Sequence, residues 1–528
     1  LHVSVIGMGL WKGLRKLGLG YLQAGSIAFT VLFGYGVMVG FGPSVVRAVF
    51  MMGVSFFAGI LGRTYDLPSA MCVPALGILL WKPYMLTQAS FQLSFLAVGA
   101  MFVPGNVLSR KWELKGVAEN IWVSISLQTV TLPFVLLHSY EVPLFGILLN
   151  FFVVPLMSYV LISGIFGVAG SFVWYGLGMI LLGGAHLILE LYQGLCQGFQ
   201  QIPGANLILG TPEVWKILVY YGLVLIGTCQ AFRSGKQWLL LWGIGILVLT
   251  SRLDTGFSVT VLDVGQGDGI VLEAEGKTML VDCGSSQNRE IGIDVLVPFL
   301  MSQGIRRLDT IVVTHGDQDH MSGIRELLKK PDCEIRIGQM IFSTAGKGDS
   351  VCEELASLAE KQGIPVRYCE AGDMLTGALG ENVEILCLHP TVRREHGGDQ
   401  TEDRNGESVV LYISYAEFSM LLTGDIGIEE ERALMEQYEL SSVTVLKAAH
   451  HGSANSNSRE FLETVKPAYV IFSYGEGNSY GHPDSGVVDA CEELGVQVYE
   501  TAKSGAIRLW TDGTYLRIEG WLDRADGI

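Results

Sequence analysis

Charged residues are scarce in this 528-residue chain, at 16% of positions, where a soluble protein carries about 25%. That shortage excludes a water-soluble protein along its whole length. The nine cysteines include no CxxC pair, which argues against zinc-ribbon and dithiol redox frameworks, and their spacing leaves any pairing open. No GxxxxGK[ST] segment occurs, so any ATP-driven force has to come from another protein. Long runs of Lys and Arg are missing too, so no sequence-local basic arm is present to grip nucleic acid. There is neither an initiator Met nor a signal-peptide layout. The chain opens on the apolar segment Leu1-His2-Val3-Ser4-Val5, and we expect it to be part of a longer protein.

The charge that is present divides unevenly. Residues 1–252 hold 13 Lys+Arg and 6 Asp+Glu, whereas residues 253–528 hold 22 and 46. An apolar, weakly basic half is therefore joined near Arg252 to an acidic, water-soluble half. The expected domains are 1–252 and 253–528.

In the first half, apolar runs near the length that crosses a bilayer recur at 21–42, 44–62, 67–81, 85–104, 120–138, 144–170, 173–196, 214–232 and 237–250. Residues 1–10 read as the tail of a further one. So many runs in succession, with so little charge, predict an α-helical polytopic membrane domain embedded in a lipid bilayer. Lys12, Arg15, Lys16, Arg63, Arg110, Lys111, Lys115, Arg233 and Lys236 fall in alternate loops, and the positive-inside bias makes those loops cytoplasmic. Counting forward, the acidic half lies outside the cytoplasm. Polar residues within the spans, namely Gln88, Gln92, Gln128 and Asn150, are candidates to line a pore. The blander reading is that such side chains glue helices together.

After residue 253 the texture changes to short β-branched strands separated by Gly and Asp turns. Strands are predicted over 257–262, 278–282 and 308–314, with a helix over 322–330. The third strand runs into His315-Gly316-Asp317-Gln318-Asp319-His320. Two His and two Asp within six residues suit a divalent ion, because imidazole and carboxylate are its usual ligands. Asp425 follows another apolar strand, where a carboxylate is placed to bridge two ions. His450 and His451 follow the strand 443–447, and His482 lies in Tyr480-Gly481-His482-Pro483. Taken singly these read as surface turns; their shared strand-end placement argues for a site.

With these motifs the chain resembles the metallo-β-lactamase superfamily, and within it the ComEC family of competence proteins. In the second half the resemblance rests on Leu262 to Asp268 (LDVGQGD), Asp282, His315 to His320, Leu422-Thr423-Gly424-Asp425, Lys447 to Ser453 (KAAHHGS) and Gly481-His482-Pro483. In the first half it rests on Leu1 to Ser4, Phe91 to Phe95 and Leu149 to Pro155. The ligand motif departs from the superfamily's HxHxDH, since Asp317 stands for the second His. Asn405 stands where a further His is usual, and His389 lies in a context that does not match.

The resemblance implies an α/β fold of the αββα sandwich type in the second half and a DNA channel in the first. One strand would pass the membrane and the other would be degraded by a metal-dependent phosphodiesterase. Its implied centre holds two divalent ions. Asp319, His320, Asp425 and His450 or His451 serve one ion, while His315 and Asp317 serve the other. The extra carboxylate favours Mn²⁺ or Mg²⁺ over Zn²⁺, with Mn²⁺ first. Among His450, His451 and His482, whichever does not bind metal is placed to protonate the leaving oxygen. Implied partners are single-stranded DNA, a DNA receptor, a cytoplasmic ATP-driven translocation protein and further copies of the chain. The acidic balance of the second half argues against extensive DNA contact and calls for a local basic patch. Two rival readings are a membrane-anchored hydrolase of small or lipid phosphoesters and a transporter whose hydrolase fold is vestigial.

Overall fold

A computed structural model describes residues 2–202, 204–233, 237–252, 256–330, 335–391 and 404–522. Leu1, Lys236 and Leu253 lie outside them. The chain divides into two compact units, Leu1–Ser251 and Arg252–Ile528.

The first unit is helical. Seven helical segments among the described residues are long and apolar enough to cross a membrane: Tyr21–Val39, Pro43–Ile60, Ala89–Lys111, Val117–Ser139, Pro155–Val173, Tyr175–Gln200 and Val214–Phe232. By length and composition these segments are those of a multi-pass membrane domain. Two expected spans are shorter. Leu67–Trp81 has 15 residues and Trp238–Thr250 has 13. At 1.5 Å per residue they reach about 22 and 20 Å, less than the roughly 30 Å of a hydrocarbon core. The leading segment is a helix too, His2–Lys16, and it ends on Arg15 and Lys16.

One boundary moves. The run expected to stop at residue 104 continues through a π-helical turn, Met101–Val107, into Leu108–Lys111. Pro104 cannot donate to the helix. Its carbonyl accepts the buried indole N–H of Trp122 at 2.7 Å, so the break is covered by a neighbouring helix.

Contacts within this unit fix which helix ends lie together. Glu141–Pro143 pairs antiparallel with Asn206–Ile208, which joins the connection after Val117–Ser139 to the one after Tyr175–Gln200. Lys111 Nζ donates to Ala231 O at 3.2 Å, at one end of Val214–Phe232. At its other end Lys216 Nζ donates to Ser251 O at 2.9 Å.

Gln88 stands just before the helix Ala89–Ala100, and Gln92 lies in its first turn. Gln92 Oε1 accepts from His138 Nε2 at 2.7 Å, and Gln92 Nε2 donates to Leu86 O at 2.9 Å. Gln128 is half-buried and Asn150 exposed.

The second unit is built on two sheets. One has eight strands, ordered Val366–Cys369, Met340–Ser343, Thr310–Val313, Lys277–Cys283, Gly269–Ala274, Phe257–Val261, Ile507–Thr511 and Leu516–Gly520. The other has six, ordered Val383–His389, Val410–Tyr415, Phe418–Leu422, Val445–Lys447, Tyr469–Phe472 and Gln497–Glu500. Alternate side chains of both sheets meet in one apolar core that includes Val259, Leu272, Val281, Ile385, Leu411, Met420 and Val445. Amphipathic helices such as Gln318–Lys329 and Ser350–Lys361 complete the αββα sandwich.

Each sheet contains a run of parallel strands. In the first, Lys277–Cys283, Thr310–Val313, Met340–Ser343 and Val366–Cys369 run together. In the second, Phe418–Leu422, Val445–Lys447, Tyr469–Phe472 and Gln497–Glu500 do so. Open α/β sheets bind ligands beyond the carboxyl ends of such strands. Asp282, His315, Asp425, His450, His451 and Ser473 all lie at those ends.

Candidate metal centre

The helix after the strand Thr310–Val313 starts at Gln318, four residues earlier than the sequence suggests, with Asp317 as its N-cap residue. Asp319 and His320 therefore project from its first turn, while His315 and Asp317 come from the loop before it. The chain passes very closely behind them. At Gly267, φ is +151° and a Cβ would lie 2.3 Å from Gly284 O and 2.5 Å from Asp319 O. That glycine lets Asp268 N donate to Asp319 O at 3.0 Å, which ties the LDVGQGD turn to the ligand helix.

The second sheet supplies the other wall. His450 and His451 both have left-handed backbones, with φ of 48° and 56°. Such strain persists only where the surroundings over-determine it. Here Asn457 clamps Ala449 through both its N–H and its C=O, at 2.9 Å each. His450 N donates to Gly424 O at 3.1 Å, which fixes the turn against the loop that carries Asp425.

Three imidazoles share one arrangement, with the outer nitrogen held and the inner one aimed at the centre. His320 Nδ1 sits 2.8 Å from Asp282 Oδ2, and His451 Nδ1 sits 2.9 Å from Ser473 O. His315 Nδ1 lies 3.0 Å from Thr314 Oγ1 and 3.2 Å from Ser408 Oγ. Asp282 is itself fixed by Thr314 N at 2.8 Å and Thr314 Oγ1 at 2.6 Å. Outer contacts of this kind set the tautomer and orientation of metal-binding histidines.

The inner atoms converge. His320 Nε2 is 3.2 Å from Asp425 Oδ2, and His451 Nε2 is 3.5 Å from the same oxygen and 3.6 Å from Asp319 Oδ2. His315, His320 and Asp425 offer ligand atoms within 4.8 Å of one another, as do Asp319, His320 and His451, and also Asp268, Asp425 and His451. Among the described residues eight buried side-chain polar atoms lack a hydrogen-bond partner. Five are here: Asp268 Oδ1, His315 Nε2, His320 Nε2, Asp425 Oδ1 and His451 Nε2. Buried polar atoms are almost always paired, so orphans gathered at one point fit a cation.

The electrostatics agree. Burial alone would lower the His320 and His451 pKa values, but the surrounding carboxylates, Asp425 foremost, together outweigh it. His320 is raised well above the ordinary value, and His451, which also faces Asp268, is raised to about 9. Burial would push Asp425 up, but the surrounding imidazoles hold it well below the carboxylate range. Burial and the nearby His320 lower His315. A metal-free centre thus holds protons where a cation would sit.

Two expected residues lie at the rim. His450 Nε2 is 3.9 Å from Asp425 Oδ2, and the side chain is 30% exposed. The His482 ring is centred 5.5 Å from that of His450 and 6.4 Å from that of His451. Burial and these two neighbours lower its pKa. Asp317 belongs to none of the convergent groups, and its Oδ1 instead accepts from Arg404 Nη1 at 3.2 Å. His389 Nδ1 donates to Ser408 O, 2.9 Å away, behind the centre.

Sequence reasoning assigned no role to Asp268, Lys447 or Arg404. Asp268 and Lys447 form a buried pair at 2.7 Å beneath the centre. Both lie in motifs that the sequence singled out, but 179 residues separate them, and nothing local links the two.

Residues 1–233 match the family model described as Competence protein, and residues 262–475 match that of the metallo-beta-lactamase superfamily. ComE operon protein 3 of Bacillus subtilis is 26% identical over 96% of this chain and 66% of its own length. Recombination protein 2 of Haemophilus influenzae is 26% identical over 92% of this chain and 63% of its own length. The chain spans less than two thirds of each of these relatives. The metallo-beta-lactamase fold protein YhfI of Bacillus subtilis aligns over 50% of this chain and 99% of its own, at 12% identity and a TM-score of 0.33. The chain thus joins a region that matches the Competence protein family model to one that matches the metallo-beta-lactamase superfamily model, as its similarity to these competence and recombination proteins along most of its length would lead one to expect. That fold implies divalent-metal binding.

Proposed function

We propose that this chain serves DNA uptake by passing single-stranded DNA across the cytoplasmic membrane, and that its second unit is a divalent-metal nuclease that degrades the strand left outside. The hydrolase part is carried by one observation, the five partnerless buried atoms that converge at the carboxyl ends of both sheets. Asp319, His320, Asp425 and His451 are suited to hold an ion, with His315 and Asp425 offering a second position and Asp317 beside it. A bound divalent ion supplies Lewis acidity that activates water and offsets charge building on a phosphate. The carboxylate-rich set favours Mn²⁺. Asp282 and Ser473 orient His320 and His451. His450 and His482 stand at the rim, 5.5 Å apart between ring centres, and are our candidates to protonate the leaving oxygen.

The substrate class rests on the competence family. Gln88, Gln92, Gln128 and Asn150 remain our candidates for the strand's path, and a DNA receptor and an ATP-driven translocation protein are the partners this role needs. Further copies of the chain are another. The place for DNA contact that fits best is a cleft of about 400 Å³ lined by Arg252, Lys277, Arg306, Arg307 and Arg508, although Glu273, Glu275 and Asp309 line it too and Asp309 pairs with Arg307. Lys277 opens the strand that ends near Asp282, so this cleft lies at the opposite strand ends from the metal centre.

Outward placement of the second unit is supported by the alternate basic loops. It is also supported by the contacts that group Lys111 with Ala231 at one end of the bundle and Lys216 with Ser251 at the other. The test is cleavage of single-stranded DNA and of small phosphodiesters by the full-length chain in detergent, with Mn²⁺, Mg²⁺ or Zn²⁺. We expect Mn²⁺-dependent DNA cleavage that falls at least 100-fold in Asp319→Ala. Equal activity in the two proteins refutes the site, and cleavage of small diesters alone refutes the DNA role.

A further inference from the structure

We propose that Arg404 takes the place of a second metal ion, so that the centre holds one ion tightly instead of two. The inference rests on the metal-hydrolase reading above.

Arg404 is anchored for this task. Its Nε lies 2.8 Å from Asp349 Oδ2 while Nη1 lies 3.2 Å from Asp317 Oδ1. Asp349 is itself fixed, because its other oxygen accepts the N–H groups of Val351 and Cys352 at the start of a helix, at 2.8 and 2.9 Å. The guanidinium is thus held by a residue that cannot follow it, and it draws Asp317 with it. A guanidinium stays charged at any accessible pH, so this cation does not depart by deprotonation.

The consequence appears in the ligand geometry. Among the described residues none of the convergent ligand groups includes Asp317, although it lies between His315 and Asp319 in sequence. Its Oδ2 lies 3.8 Å from His315 Nε2, near enough for the two to share an ion, but no third ligand joins them among the described residues. The one group that includes His315 borrows both His320 and Asp425, which also serve the other groups. Among the described residues a second ion would therefore have His315 as its only ligand that the other groups do not use.

The Asp268 carboxylate is matched by Lys447 at 2.7 Å, and the single charge of Arg404 is shared between Asp317 and Asp349. A second ion would face a fixed guanidinium across Asp317, and like charges brought together in a partly buried site repel strongly.

The test counts ions. Full-length protein in detergent is stripped with a chelator, loaded with Mn²⁺, desalted and assayed for metal per chain by elemental analysis, with calorimetric titration alongside. Wild type should retain one ion. Arg404→Gln should retain two, with the second bound at least tenfold more tightly than in wild type. Arg404→Lys, which keeps a charge at the same place, should stay close to wild type. Asp319→Ala should lose the first ion. Two ions retained with similar affinity by wild type, or no change in Arg404→Gln, would overturn the inference while leaving the metal hydrolase intact. One ion in wild type and two in Arg404→Gln, without DNA cleavage by either, would uphold it and remove the nuclease reading. A wild-type protein that retains no ion would overturn both.

Discussion

Replacing Lys447 with Met should destabilise the second unit by about 3–5 kcal/mol, the usual cost of removing one partner from a buried ion pair. The side chains of Lys447 and Asp268 are 1% and 3% exposed, with Nζ 2.7 Å from Oδ2. Met keeps most of the aliphatic stem, and volume-conserving swaps cost less than about 1.5 kcal/mol, so the charge dominates the loss. Asp268 would be left with little relief. The nearest other cation is His451, whose Nδ1 lies 3.5 Å from Oδ1, but that nitrogen already faces Ser473 O at 2.9 Å. A unit of this size loses about 2–4 °C in Tm per kcal/mol, which puts the expected drop at roughly 6–20 °C. The assay is thermal unfolding of residues 252–528 expressed alone, in chelator, followed by near-ultraviolet circular dichroism. Asp268→Asn in the Lys447→Met background should recover about half of the loss, because the stranded charge is gone. A single mutant within about 1 kcal/mol of wild type, or a double mutant no better than the single, would show that this pair does not hold the base of the centre.

Further outcomes follow from the same geometry. His451 titrates near 9 in the metal-free fold against about 6.5 unfolded, so its contribution is full below pH 6.5 and is lost as pH rises through 9. Metal-free protein should therefore melt at lower temperature at pH 9 than at pH 6.5, and calorimetry in two buffers should show protons released on metal binding; a flat pH profile would contradict the assignment. His450→Ala and His482→Ala should separate the rim roles: the proton donor loses about 10²–10⁴-fold in rate with metal content unchanged, whereas a ligand loses metal. A Cys placed at exposed Asn455 should react with a membrane-impermeant reagent on intact cells, and one at exposed Lys115 should not. The reverse pattern would invert the membrane count.

What was legible in the sequence follows from how far each interaction reaches along the chain. His315, Asp319 and His320 lie within six residues, and Asp425, His450 and His451 each follow a short apolar strand, so local pattern was enough to find them. Membrane spans were legible for the same reason, since apolar length is a local quantity. The continuation of the helix past Pro104 was not, because the group that covers the Pro104 carbonyl is Trp122 on another helix. Likewise Asp317 reads as a ligand from its neighbours, and only the fold brings up Arg404, 87 residues away, to claim it. Asp268 and Lys447 each sat in a visible motif, yet their pairing depends on one sheet closing over the other.

Local rules are broken where the chemistry lies, and each break can be traced to a geometric demand. Asp282 adopts a left-handed backbone at the end of the strand Lys277–Cys283, where it departs from the ladder to meet Thr314 and His320. His450 and His451 do so in succession, and Gly452 follows at φ +88°, where a Cβ would lie 2.6 Å from the Phe472 ring. Each strained non-glycine residue costs about 1–3 kcal/mol. A regular turn after Lys447 would avoid that cost and would carry the imidazoles away from Asp425. The clamp from Asn457 onto Ala449 and the bond from His450 N to Gly424 O hold the costly conformation in place. Because those restraints come from the protein itself, the inner nitrogens are aimed before any ion arrives. Ligand binding therefore needs loss of protons more than movement of the chain.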